Sequence, residues 1–94
     1  MPVSLLTLSV LLPGCASLKE KRGRIKPILA RLHREFNISV AEVDRQDAWQ
    51  EAVLACALVS NDPGFIQKSL QEVIHFVEKS WPDENLLDHS IEII

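Results

Sequence analysis

Between Val3 and Leu12 the side chains alternate, with Leu6, Leu8, Val10 and Leu12 on one side and Leu5, Thr7, Ser9 and Leu11 on the other. This period of two predicts a strand with one fully apolar face. Pro13-Gly14 ends it, because proline lacks the ladder donor and glycine permits a turn. Ser17 followed three residues later by Glu20 is a capping box, so a helix starts at Leu18. Leu18, Ile25, Ile28, Leu29, Leu32 and Phe36 form its apolar stripe, and Asn37, a residue that tolerates the left-handed cap, ends it. Pro27 removes the hydrogen bond to the carbonyl of Gly23, which predicts a kink that leaves the first two turns the more mobile. Ile38 to Asp44 and Gln50 to Val59 read as strands two and three, joined by the short polar stretch Arg45 to Trp49. That stretch lacks Asn-Gly or Asp-Gly, so a bulged antiparallel hairpin is expected rather than a tight turn. Asp62 as N-cap and Pro63 at the first helical position open a second helix, with Ile66, Leu70, Val73, Val77 and Trp81 as its stripe and an end before Pro82. After a polar break, Leu86 to Ile94 alternates again, with Leu87, His89, Ile91 and Ile93 on one side and Leu86, Asp88, Ser90, Glu92 and Ile94 on the other.

The order β-α-β-β-α-β predicts an α+β ferredoxin-like sandwich, a four-stranded antiparallel sheet in spatial order 4-1-3-2 with both helices on one face. One domain over residues 1–94 is expected, because halves of this length would lack a core. Strands two and four are then edges, and the second sheet face is uncovered. Asp88 and Glu92 are expected to look toward that face, as is Glu42 if strand two has that phase.

Composition adds little until charge is mapped along the chain. With 47% apolar and 24% charged residues the sequence is that of an ordinary globular domain, and no segment reads as a signal peptide or membrane span. Cys15 and Cys56 lie far apart in unlike contexts, which argues against a disulfide framework and for a reducing cytoplasm. Lys19 to Arg34, however, holds seven basic residues against one acid, a local +6 within a chain of net −3, so the remainder carries −9. Such asymmetry points to an anionic partner.

The segments Ser17 to Arg22 (Ser-Leu-Lys-Glu-Lys-Arg), Phe36 to Val43 (Phe-Asn-Ile-Ser-Val-Ala-Glu-Val), Gln46 to Gln50 (Gln-Asp-Ala-Trp-Gln) and Ser60-Asn61-Asp62 occur in an order and spacing that resembles the YlxP-like family of small bacterial proteins of unknown function. The resemblance spans nearly the whole chain, while Cys15-Ala16 and Pro27 depart from the family pattern. It implies a ferredoxin-like fold. Genes of the family commonly lie beside those for transcription and translation factors and a ribosome-binding factor, so it also implies a ribosomal or RNA-related role.

Lys19, Lys21, Arg22, Arg24 and Lys26 are the candidate phosphate contacts, since several flexible cations near a helix N-terminus suit a polyanion. The competing account is a solvated helix face, favoured by the spread of these side chains around much of the helix. Arg45 and Trp49 on the hairpin are secondary candidates. Trp49 suits stacking on a base or anchoring an interface, but a large aromatic in a small domain more often closes the core. Strands one and three carry no aromatics, so any RNA would be read by shape and backbone.

Cys15 lies near Lys19 and a helix start, conditions that lower a thiol pKa, but without a companion cysteine or histidine at motif spacing it reads as a loop residue. His33, His75 and His89 are scattered without ligand spacing, so no metal is expected, and no cofactor. The Pro13-Gly14-Cys15 loop lacks the arginine that the acylphosphatases of this fold place there, which disfavours an enzyme. The sequence thus favours a non-catalytic, cytoplasmic RNA- or ribosome-binding protein. The alternative is a protein-interaction module forming a homodimer through the open sheet face or an edge strand.

Overall fold

A computed structural model describes residues 3–81 and 85–94. The elements are β1 (Val3–Leu11), α1 (Leu18–Glu35), β2 (Ser39–Asp44), β3 (Glu51–Val59), α2 (Pro63–Ser80) and β4 (Asn85–Ile93). All pairings are antiparallel, in the order β2-β3-β1-β4. This is the ferredoxin-like arrangement that the alternation and cap signals predict.

Ser4, Leu6, Leu8, Val10 and Leu12 are buried, as are Leu58, Cys56, Leu54 and Ala52 of β3, which pair in turn with the first four. Ile25, Ile28 and Leu32 of α1 and Ile66, Leu70, Val73, Ile74 and Val77 of α2 complete the core. The second sheet face is built of smaller groups, with Thr7 paired to Ala55 and Ser90, and Leu5 to Ala57 and Glu92.

The caps follow the sequence closely. Ser17 Oγ accepts from Glu20 N at 3.0 Å, while Glu20 Oε2 accepts from Ala16 N at 2.7 Å. Asp62 Oδ1 accepts from Gly64 N and Phe65 N at 3.0 and 3.2 Å. Between β1 and α1, Cys15 N donates to Leu12 O, Pro13 sits at the second turn position, and Gly14 takes the φ of +73° that a type II turn demands of the third.

Several details depart from the pattern reading. The helix α1 runs unbroken through Pro27, with buried residues on both sides, Ile25 before and Ile28 after, holding its two halves to the same core. It closes at Phe36 in extended backbone, and Asn37 does not adopt the left-handed conformation. That conformation falls on Arg45 (φ 58°), beside a bulge in β2 between Glu42 and Asp44. A second irregularity in β4 pairs both Leu86 with Val10 and His89 with Leu8, so Leu86 joins the core side that strict alternation denies it. The α2 C-cap is Trp81; Pro82 and most of the polar break after it lie outside the described residues.

Candidate nucleic-acid interface

The helix α1 is positioned by its buried stripe, and that stripe contains a cation. Lys21 is only 2% exposed. Its four-carbon stem follows the apolar face, and its ammonium lies 2.7 Å from Glu42 Oε2 and donates to Arg45 O at 2.6 Å. Glu42 is opposite Leu54 in the β2–β3 ladder, so its side chain points toward the helices and not to the open face. Its Oε2 is buried and meets no other donor among the described residues, leaving the Lys21 ammonium as its compensation. Lys21 is thus an internal tie between α1, β2 and the hairpin, not a phosphate contact. The sequence held the signal: Leu18, Lys21, Ile25, Ile28 and Leu32 run at three-four-three-four spacing, and Val40 and Glu42 share one strand face.

Two more of the seven cations are engaged by the protein. Arg24 donates from Nη1 to Pro13 O at 2.9 Å, pinning the β1–α1 loop. Arg31 stacks over the rings of Phe76 and Trp81, 5.1 and 5.5 Å from their centroids. Its Nε is buried without an acceptor among the described residues, so the ring faces receive its charge. Phe36 and Phe76 meet edge to face at 5.4 Å, as do Phe76 and Trp81 at 5.7 Å. It is Trp81 that caps the core at this end.

Lys19, Arg22, Lys26 and Arg34 remain exposed. At about 100° per residue they fall on the side of α1 opposite the buried stripe, with His33 in line and no acid among them. Removing Lys21, Arg24 and Arg31 therefore converts a helix ringed by charge into one with a single basic stripe. Gly23 and Ala30 lie within it, and a Cβ at Gly23 would meet nothing within 4 Å. Arg34 Nε comes no closer than 3.8 Å to Glu35, an exposed pair of little strength.

The hairpin candidates do not join this stripe. Arg45 lines a recess at the end of the open sheet face with Asp44, Glu51 and Asp88, its Nε 3.8 Å from Glu51 Oε2. A guanidinium among three carboxylates is a poor phosphate ligand. Trp49 is 52% exposed, so it does not close the core; Asp47 and Glu51 border the same shallow surface.

Cys15 is fully buried, with its Sγ 3.6 Å from Ser17 O, and belongs to the core instead of to an open loop. Cys56 is also buried, and desolvation pushes its thiol up to about 12. Both thiols are free. His89 is exposed on the edge strand β4.

No described helix is long and apolar enough to cross a membrane. In fold the chain is similar to the de novo designed protein Foldit4, with a TM-score of 0.55 at 16% identity, covering 100% of this chain and 97% of that one. In sequence it is 42% identical over 67 residues to the uncharacterized protein YlxP of Bacillus subtilis (strain 168), covering 71% of this chain and 72% of that protein. A family model described as a protein of unknown function (DUF503) matches residues 3–91. The chain belongs to that family, in keeping with the YlxP-like resemblance of its four motifs.

Proposed function

We propose that this protein is a non-catalytic, cytoplasmic RNA-binding protein that lays the solvent face of α1 along a phosphate backbone, as on a ribosome. The observation that carries the reading is the one-sided stripe of Lys19, Arg22, Lys26 and Arg34 in a protein of net charge −3, with acids only at its margins, Glu35 loosely beside Arg34 and the Lys21-paired Glu42 beside Arg22 and Lys26. At 1.5 Å per residue the stripe is about 22 Å long, enough for several successive phosphates. The gaps at Gly23 and Ala30 let a backbone come close to the helix, and nothing in the stripe reads base edges, so contact by shape and charge follows. A non-catalytic role is supported by the β1–α1 loop, which turns the Cys15 thiol inward and holds Arg24 on its own carbonyl.

The test is fluorescence anisotropy with a labelled single-stranded RNA over a potassium chloride series. Four contacts on a single strand give a log–log slope of about −2.8, which is roughly a 50-fold loss of affinity between 50 and 200 mM salt. Changing Lys19, Arg22 and Lys26 together to glutamate should abolish binding, whereas Lys21→Met should leave the slope unchanged. A flat salt response, or undiminished binding by the triple variant, rejects the reading.

A further inference from the structure

The two sheet edges are protected very differently. The strand β2 is six residues long, bulged before Asp44 and followed by Arg45 in the left-handed conformation, all of which discourage a further strand from pairing. The strand β4 is nine residues long, has no proline, lysine or arginine, and is irregular only at its start, near Leu87. It also carries exposed apolar groups: Ile91 is 38% exposed and Ile93 66%, although α2 packs nearby. An edge this long, without proline, lysine or arginine and with exposed isoleucines, is a template for another strand.

The hydrogen bonding fixes how a partner strand would meet it. Val3 N donates to Ile94 O and Ile94 N to Val3 O, so Ile94 spends both its backbone groups on β1. Alternation along an antiparallel ladder gives Glu92, Ser90 and Asp88 the same inward sense and turns the N–H and C=O of His89, Ile91 and Ile93 to the open edge.

We infer that the partner is a second copy of this chain, joined through antiparallel β4–β4 pairing about a two-fold axis at Ile91 to make one continuous eight-stranded sheet. Charge and register select this alignment. Centred on Ile91, the outward-facing residues match as Ile91 with Ile91 and His89 with Ile93. Asp88 then faces Ile94, and Glu92 faces Ser90. An axis at Ser90 would instead set Asp88 directly against Glu92, a like-charge clash on both sides of the axis. An axis at His89 would run the pairing through the irregularity near Leu87. The Ile91 alignment uses only the regular part of the strand, and it covers Ile91 with its own counterpart and Ile93 with His89 of the second copy, twice over, as an isologous contact requires. This inference is independent of the RNA reading, because β4 and the basic stripe of α1 share no residue.

Light scattering after size exclusion, across a concentration series, should give twice the 10.6 kDa chain mass, and Ile91→Asp should return it to the monomer with unchanged circular dichroism. Single cysteines then test the register. Two copies of residue 91 lie about 5.5 Å apart between Cα atoms, within the ~4.4–6.8 Å that a disulfide spans. Two copies of residue 93 are about 14 Å apart. Under diamide, Ile91→Cys should cross-link to dimer and Ile93→Cys should not, whereas random collision would favour the more exposed residue 93. A monomer at every concentration, a dimer indifferent to Ile91→Asp, or faster cross-linking at residue 93 overturns the inference.

Discussion

Removing the Glu42 carboxylate while leaving Lys21 in place should be among the more damaging single changes available in this small domain. The Lys21 ammonium is 2% exposed and has two partners, Glu42 Oε2 at 2.7 Å and the Arg45 carbonyl at 2.6 Å. Without the carboxylate it is a buried charge held by one neutral acceptor. Breaking a buried pair from one side costs about 3–5 kcal/mol, and the lower end applies because the Glu42 side chain is 21% exposed, so water can partly replace it. A loss of about 3 kcal/mol corresponds to a fall in Tm of roughly 12–24 °C for a domain of this size.

The opposite change should hurt less. Lys21→Met keeps the apolar stem and leaves a carboxylate near enough to the surface to rehydrate, so about 1–2 kcal/mol is expected. Replacing both, Lys21→Met with Glu42→Leu, should recover most of the loss, since a well-packed apolar pair does as well as a buried ion pair. Urea denaturation followed by circular dichroism, arranged as a double-mutant cycle, measures the coupling, expected at about 3 kcal/mol. If Glu42→Leu costs under about 1 kcal/mol and the two single changes simply add, Lys21 is not a structural tie. Its assignment to the core instead of to the phosphate-binding stripe would then be wrong.

Two further expectations concern other parts of the fold. Because burial raises the Cys56 thiol from 9.0 to about 12, the unfolded chain ionises first as pH rises through that window, and native stability falls. At pH 10 the loss from this group is about 1.4 kcal/mol, so the wild type should lose that much more stability than Cys56→Ala between pH 8 and 10; equal losses in urea melts would refute it. Asp62→Ala removes the acceptor for two backbone donors at the start of α2 and should cost about 1 kcal/mol, read as a Tm lower by roughly 4–8 °C, while an unchanged Tm would show that the cap is dispensable.

The elements and their order were legible because each is written in a local code: alternation in β1 and β3, Ser17 with Glu20, Asp62 with Pro63. What pattern reading misplaced lies where tertiary contacts override the local code. Asn37 looks like a left-handed cap, but the left-handed residue is Arg45, whose carbonyl accepts from Lys21 across 24 positions of sequence. Strict alternation fails at Leu86 because an irregularity in β4 is set by pairing with β1 and leaves no mark on composition.

The charge count shows the same division more sharply. Seven cations in sixteen residues suggest one binding surface, yet the fold gives them three different uses. Lys21 balances a buried carboxylate, Arg24 fixes a loop carbonyl, and Arg31 rests on two aromatic rings. Lys21 lies toward the sheet, Arg31 toward the second helix and Arg24 toward the β1–α1 loop, so the fold draws all three off the solvent face of α1. What stays outside is a smaller set on a single side of α1. That subtraction strengthens the case for a polyanion partner, because binding a backbone depends on cations sharing a face, and sequence proximity alone cannot establish that they do.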